Sequence, residues 1–248
     1  MAIDTSPASR EPRVMTTPHP LDRPAHAALF TRQAQLASGG ALARRIRPEY
    51  GPFAASLDYS TEAMQALVAL NPPEGGLALV EPEDAPVSHD LPVASQAACW
   101  QMLMRDFHPR PGGAEIKALE PEDAEAMQAL AALTRPGPFS TRTHELGRFF
   151  GVKRDGRLIA MAGERLQPDG FTEVSGVCTH PDFQGEGLAG QLMSRVIEGV
   201  LARGEQAFLH AYADNHGAIA LYKKLGFFHR ATVTLTVTGP QPTDWPSL

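Results

Sequence analysis

The sequence predicts an α/β protein: a mixed sheet with helices on its faces, preceded by a smaller α/β region. Three observations carry this expectation. From Ala114 onward, stretches with strand-like alternation and stretches with helical spacing follow one another. Asp155-Gly156, set between two apolar runs, is a strong hairpin signal. The segment QGEGLAG, residues 184–190, leads from the end of a strand directly into a long apolar-periodic helix. No internal repeat is present.

In chain order, residues 1–24 are rich in Pro, Ser and Thr and poor in apolar side chains, and are expected to be disordered. Residues 25–110 form a first structured region. HAALFTRQAQLA reads as a helix that stops at Gly39-Gly40. YSTEAMQALVAL reads as a helix with Ser60 or Thr61 as its cap and Pro72-Pro73 as its stop, and GLALVEP as a short strand. This half carries no catalytic motif. FHPRPGG, ending at Gly113, combines breakers and turn formers and is the expected linker to a second domain, residues 114–248. There, EIKALEPEDAEAMQALAAL reads as a strand running into an acidic-capped helix. FSTRTHELGRFFGVKRDGRLIAMAGERL gives a short helix and the two strands of the hairpin. FTEVSGVCTH is a strand, the helix after QGEGLAG follows, QAFLHAY is a strand and NHGAIALYKKLG a helix. FFHRATVTLTVTG closes with β-branched alternation.

Composition narrows the function classes. The chain has 248 residues, 43% hydrophobic and 20% charged, with a formal net charge of −6. That balance favours neither nucleic acid nor an anionic membrane as partner, and the one basic run, ARRIRPEY from Ala43, is too short to change it. Cys99 and Cys178 are the only cysteines and lack zinc-like spacing, so neither a disulfide framework nor a metal site is expected. No run of about 18 apolar residues and no apolar signal core occurs, so a cytoplasmic setting is expected.

Glycine is a poor helix former, so Gly185 and Gly187 in front of a long helix need a reason. Helix starts leave amide N–H groups unpaired at the electropositive end of the dipole, and glycines there let an anion approach the backbone. A pyrophosphate cradle is one reading. A tight strand-to-helix turn needs the same glycines and is the other. A Walker loop is excluded, because no Gly-Lys-Ser/Thr follows. Gly185, Gly187 and Gly190 also fall as GxGxxG, with Asp214 at about the right distance for a dinucleotide fold, but the preceding strand is flanked by hairpins rather than opening a parallel series.

The run VSGVCTHPDFQGEGLAGQLM resembles the acyl-CoA signature of the GNAT N-acetyltransferase superfamily, with Gln184, Gly187 and Ala189 on its defining positions. The resemblance implies that the amides of Gly185, Glu186, Gly187, Leu188, Ala189 and Gly190 hold the CoA pyrophosphate. It also implies that Val177, Cys178 and Thr179 pair through their backbone with the pantetheine arm, like an added strand. ADNHGAIALYKKLGF resembles the final catalytic helix of that family. Asn215 is a natural N-cap there, grouped with the cofactor-binding positions, and Gly226 stands where a left-handed C′ residue belongs. The likeness covers roughly residues 114–240. The HRATVTLTV tail and the silent first half resemble the glycine N-acyltransferase-like branch, in which a degenerate GNAT half precedes the active one. Glu186 departs from the pattern by setting a negative charge between the glycines, and Gln184 replaces the commoner arginine.

The resemblance implies acetyl transfer from acetyl-CoA to a primary amine, directly in a ternary complex and without metal. A non-catalytic acyl-CoA-binding regulatory module is the alternative. Tyr222 matches the family's proton donor to the leaving thiolate, and Glu173 matches the position of a general base in some members. Each has a plainer rival: a ring packed into the core for Tyr222, a solvent-facing strand residue for Glu173. A covalent route through Cys178 would need a depressed thiol pKa, and an ordinary strand residue fits its alternation as well. His180 reads as lining the turn after the strand, and His210 and His216 as local hydrogen bonders. The acceptor, a small-molecule amine or a protein amino group, is expected near RPGPFSTRTHELGRF. Residues 25–110 could be a vestigial transferase half, part of the acceptor site, or a homodimer surface.

Overall fold

The structure, a computed structural model, describes residues 19–239. Most of the segment expected to be disordered lies outside the described residues. Its last part does not fit that expectation. Pro20–Asp22 form a 3-10 turn capped by His19, and Leu21 is fully buried. One apolar anchor in a Pro-rich stretch suffices to order its neighbours once it has a core to enter.

Sixteen helices and strands follow: α1 (Pro24–Phe30), β1 (Ala37–Gly39), β2 (Ala43–Ile46), β3 (Ala54–Ser56), α2 (Thr61–Ala69), β4 (Ala78–Pro82), β5 (Val93–Met104), β6 (Ile116–Ala118), α3 (Ala124–Thr134), β7 (Phe149–Arg154), β8 (Arg157–Glu164), β9 (Phe171–Thr179), α4 (Leu188–Ala202), β10 (Gln206–Tyr212), α5 (His216–Leu225) and β11 (Phe227–Thr238). Strands β1-β2-β3 make a small sheet, and the others make one sheet in the order β4-β11-β5-β10-β9-β8-β7-β6. The expected division at residues 110–114 therefore separates strands that are neighbours in one sheet: β5, from the first half, lies between β10 and β11.

Local signals place most elements as expected. Asp155 and Gly156 both have positive φ, 51° and 78°, as the tight β7–β8 hairpin requires. Ser60 caps α2 by accepting from the Ala63 N–H at 3.3 Å. The first helix is shorter than HAALFTRQAQLA suggests, ending at Phe30. Gln33 spends its amide on tertiary bonds instead, donating to the Arg165 carbonyl (2.8 Å) and accepting from the Gln167 N–H (3.1 Å).

Two faces of the large sheet are covered differently. On one, α4 and α5 bury Leu192, Met193, Val196, Ile197, Ile219 and Leu225 against the strands. On the other, Leu21, Leu29 and Phe53 of the first half pack against Phe208 of β10, and beside them lies the α3 cluster of Met127, Leu130, Met161 and Cys178.

The feature that positions the site is the one parallel pair in the large sheet. β9 and β10 are in register only at Phe171–Gln206, Thr172–Ala207 and Glu173–Phe208. Beyond Glu173, β9 stays with β8 as far as Thr179, and β10 stays with β5 as far as Tyr212. The strands part, and the β9 edge from Val174 to Thr179 has no β10 partner. A bulge between Met161 and Gly163, opposite Gly176 at φ 62°, accompanies the parting. It also resets the alternation, so that Val174 and Val177 face the α4–α5 side while Cys178 faces α3.

Candidate active site

β9 ends beside the start of α4. His180 opens a 3-10 turn over Pro181–Phe183 by accepting from the Asp182 N–H at 3.2 Å, and Gln184 ends that turn in extended conformation. Gly185 and Gly187 then take φ of 85° and 74°, in the left-handed region that strains other residues. A Cβ built on Gly185 would meet nothing within 4 Å, so backbone conformation rather than crowding calls for glycine there. Gly187 is the N-cap of α4 and offers no capping side chain. The amides of the first turn, Leu188 to Gly190, thus have no capping side chain, as an anion cradle would require. Glu186 is exposed and held by Arg154 at 2.8 and 3.3 Å, so its negative charge has a partner outside the cradle. The expected linker runs over the same helix. The Arg110 N–H donates to Ser194 Oγ at 2.8 Å, and the Arg110 stem lies 3.1 Å from where a Gly190 side chain would begin. That exposed cation beside the cradle was not foreseen, since a lone arginine in a Pro-Gly linker carries no signal of its own.

On the same side of the sheet, α5 presents Tyr222. Asn215 Oδ1 accepts from the Ala218 N–H at 3.1 Å, and Gly226 closes the helix at φ 103°, so both ends are fixed as the residue types predict. Tyr222 and Val177 pack on one apolar cluster. Among the described residues the Tyr222 hydroxyl makes no hydrogen bond, and burial pushes its pKa up to about 12. It is a phenol that keeps its proton.

Glu173 sits at the point where β9 and β10 separate. Its side chain is fully buried. Oε1 accepts from Arg165 Nη2 (2.8 Å) and His210 Nδ1 (2.7 Å), and Oε2 accepts from Arg165 Nε (2.9 Å) and the Leu166 N–H (3.3 Å). Burial alone would raise its pKa. The Arg165 charge and hydrogen bonds, helped by His210, outweigh burial and hold the carboxyl well below the usual range. This counts against Glu173 as a direct base: its acceptor positions are filled and its proton affinity is low. His210 continues the chain. Gln101 Nε2 donates to the Leu21 carbonyl (2.8 Å) and lies 3.2 Å from His210 Nε2, while Gln101 Oε1 accepts from Arg230 (2.8 Å). With its oxygen fixed by Arg230, the Gln101 amide donates to Nε2, leaving the His210 proton on Nδ1 toward Glu173.

Comparison with known proteins places the chain in a family. The family model described as FR47-like protein matches residues 150–236. The N-alpha-acetyltransferase RimI of Mycobacterium tuberculosis is 30% identical over 132 residues, half of this chain and 82% of that protein. The ribosomal protein bS18-alanine N-acetyltransferase of Escherichia coli K12 is 30% identical over 124 residues, 48% of this chain and 82% of that protein. A crystal structure described as a GNAT-family acetyltransferase, from Novosphingobium aromaticivorans, superposes with a TM-score of 0.83 at 41% identity, covering 91% of this chain and all of that one. The chain belongs to the GNAT N-acetyltransferase superfamily. A GCN5-related N-acetyltransferase from Kribbella flavida, 18% identical with a TM-score of 0.60 over 88% of this chain and 95% of its own, shares the fold. These matches do not single out the glycine N-acyltransferase-like branch.

As a GNAT protein, the chain is by class an acyl-CoA-dependent acetyltransferase. Several sequence candidates for other chemistry fall away. Cys178 is buried against α3, and burial pushes its thiol up to about 11, which suits a core residue and not an acylated nucleophile. Both cysteines are free. His216 is exposed at the start of α5. Among the described residues no group of three or more His, Cys, Asp or Glu could hold a metal ion, and no helix is long and apolar enough to cross a membrane.

The segment RPGPFSTRTHELGRF lies on the opposite face of the split. Phe139 meets Phe149 edge-on at 5.7 Å, and a side chain on Gly176 would strike Phe149 at 2.9 Å, so this loop reaches the β9 bulge. The first half of the chain holds it there. The Arg142 N–H donates to the Glu49 carbonyl (2.6 Å), Thr143 Oγ1 donates to the Tyr50 carbonyl (2.9 Å), and Phe53 lies 4.7 Å beneath the Arg165 guanidinium.

Proposed function

We propose that this protein transfers the acetyl group of acetyl-CoA to a primary amine by direct attack in a ternary complex. The observation that carries this is the parting of β9 and β10 beside a side-chain-free helix start. The unpaired β9 edge at Val177–Thr179 is suited to the amides of pantetheine, and the amides from Gly185 to Gly190 to its pyrophosphate. The thioester would then lie along β9 toward Glu173. The neutral amine attacks its carbonyl carbon, the carbon–sulfur bond breaks, and the CoA thiolate takes a proton from Tyr222, while the amide nitrogen sheds one to solvent, from which the phenolate is reprotonated as CoA leaves. A phenol near 12 is a weak acid in water, but a thiolate forming in the same buried cleft is desolvated too, which brings the two proton affinities together.

The test is Tyr222→Phe, assayed for thiol release with a panel of amines and for CoA binding by calorimetry. The maximal rate is expected to fall roughly 10²-fold or more with CoA affinity nearly intact. An unchanged rate places the proton donor elsewhere. CoA binding by the wild type without thiol release from any amine would instead favour a non-catalytic module.

A further inference from the structure

We infer, resting on that reading of the site, that the acceptor is a small amine bearing a carboxylate and that Arg165 reads the carboxylate. Arg165 leaves β8 beside the last β9 residue paired to β10, so its guanidinium stands at the apex of the split, where the reacting carbonyl ends. Glu173 takes one edge of the guanidinium, through Nε and Nη2. The other edge, Nη1, has no hydrogen-bond partner among the described residues, although the side chain is only 12% exposed. That 12% exposure includes Nη1, so this donor edge is open to an acceptor group arriving from solvent. Nη1 faces a gap. It is the one atom within 4 Å of where a side chain on Gly137 would start, at 3.7 Å, and Gly137 belongs to the loop that reaches the β9 bulge through Phe139.

The arginine is also held in advance. Phe53 stacks on it, Gln33 binds its carbonyl, and the ion pair fixes its plane, so a ligand meets a donor edge that needs no reorganisation. Glu173 decides the kind of anion. It already neutralises Arg165, so a phosphate dianion would be repelled by the nearby carboxylate, whereas a monoanionic carboxylate can share the guanidinium. The same filled carboxylate makes a poor ammonium partner, so the amine end of the acceptor is left to the thioester side. Residues 142–143 of the Gly137 loop are tied to Glu49 and Tyr50, and a free amino acid offers Arg165 the adjacent carboxylate that a peptide N-terminus lacks.

The experiment compares an α-amino acid, its carboxamide and its decarboxylated amine, across small, apolar, acidic and basic side chains, by thiol release at saturating acetyl-CoA. A free amino-acid carboxylate is expected to raise kcat/KM roughly 10- to 100-fold over the carboxamide, the range for a hydrogen bond to a charged group. The N-acetylated acid is expected to inhibit competitively against the acceptor, and its carboxamide not to. In Arg165→Gln/Glu173→Gln, which replaces the ion pair with an amide pair, the ratio between acid and carboxamide should fall toward one. Equal rates with all three acceptors in the wild type, or transfer only to peptides or polyamines, overturn the carboxylate and leave the transfer reading standing. Transfer to no amine at all overturns both.

Discussion

Replacing Glu173 with glutamine separates a catalytic base from a structural anchor. The carboxylate accepts from Arg165 twice, from His210 and from the Leu166 N–H, all within 3.3 Å. Glutamine keeps one oxygen, so its amide group must face either Arg165 Nε and Leu166 or Arg165 Nη2 and His210, donor against donor. Arg165 is left with its charge uncompensated. Breaking a buried pair from one side costs roughly 3–5 kcal/mol. At roughly 2–4 °C per kcal/mol for a chain of this size, the melting temperature should drop by about 6–20 °C. The folded variant should keep kcat within about tenfold, because no lone pair of Glu173 is open to the amine.

A direct base would behave the other way, with kcat falling by roughly 10²–10⁴ and stability little changed. Thermal melts and single-turnover rates on the same preparation decide between them, and an unchanged melt with a large rate loss would refute the anchor. Acid adds a second check. The folded pKa of Glu173 lies below its ordinary 4.5, so its contribution to stability is complete above that value and is lost as pH falls through and below it. The gap between wild type and Glu173→Gln should stay constant above about pH 5.5 and shrink on acidification.

Other perturbations test the scaffold. Gly187→Val forces a β-branched residue to φ 74° at the head of α4, and CoA affinity should weaken about 10- to 100-fold, as strain of ~1–3 kcal/mol implies. Wild-type affinity by calorimetry would contradict the backbone cradle. A chain beginning at Ala114 lacks β5, whose neighbours on both sides are β10 and β11, and should show no cooperative melt. A sharp transition in that truncation would mean residues 114–248 fold alone.

What could be read from the sequence was local chemistry. Asn215 and Gly226 bound α5 because a cap and a left-handed C′ residue act within one turn. Asp155-Gly156 sets its hairpin, and Gly185 and Gly187 shape the approach to α4. What stayed hidden depends on partners far along the chain. β5, VASQAACWQMLM, holds alanines, serine and glutamines where strong strand formers would be looked for. It is a strand because β10 and β11 supply partners on both edges, and β propensity largely reports such neighbours. Glu173 shows the same limit at the site. Its position was legible from the motif, but Arg165, His210 and Gln101, which decide its charge state, come from other elements.

That hidden set is anchored in one place. The polar chain from Arg165 through Glu173, His210 and Gln101 to Arg230 ends on Asp22 and the Leu21 carbonyl, and Gln33, Tyr50 and Phe53 hold the 137–143 loop and the guanidinium. All of those anchors lie in the half of the chain with no motif. The cradle and Tyr222 belong to the opposite face, which packs α4 and α5. On the proposed reading, the motif-bearing half fixes the donor while the silent half shapes what the donor meets. Side chains in that silent half are chosen by packing and by pairing across the sheet, and neither leaves a short pattern in the sequence.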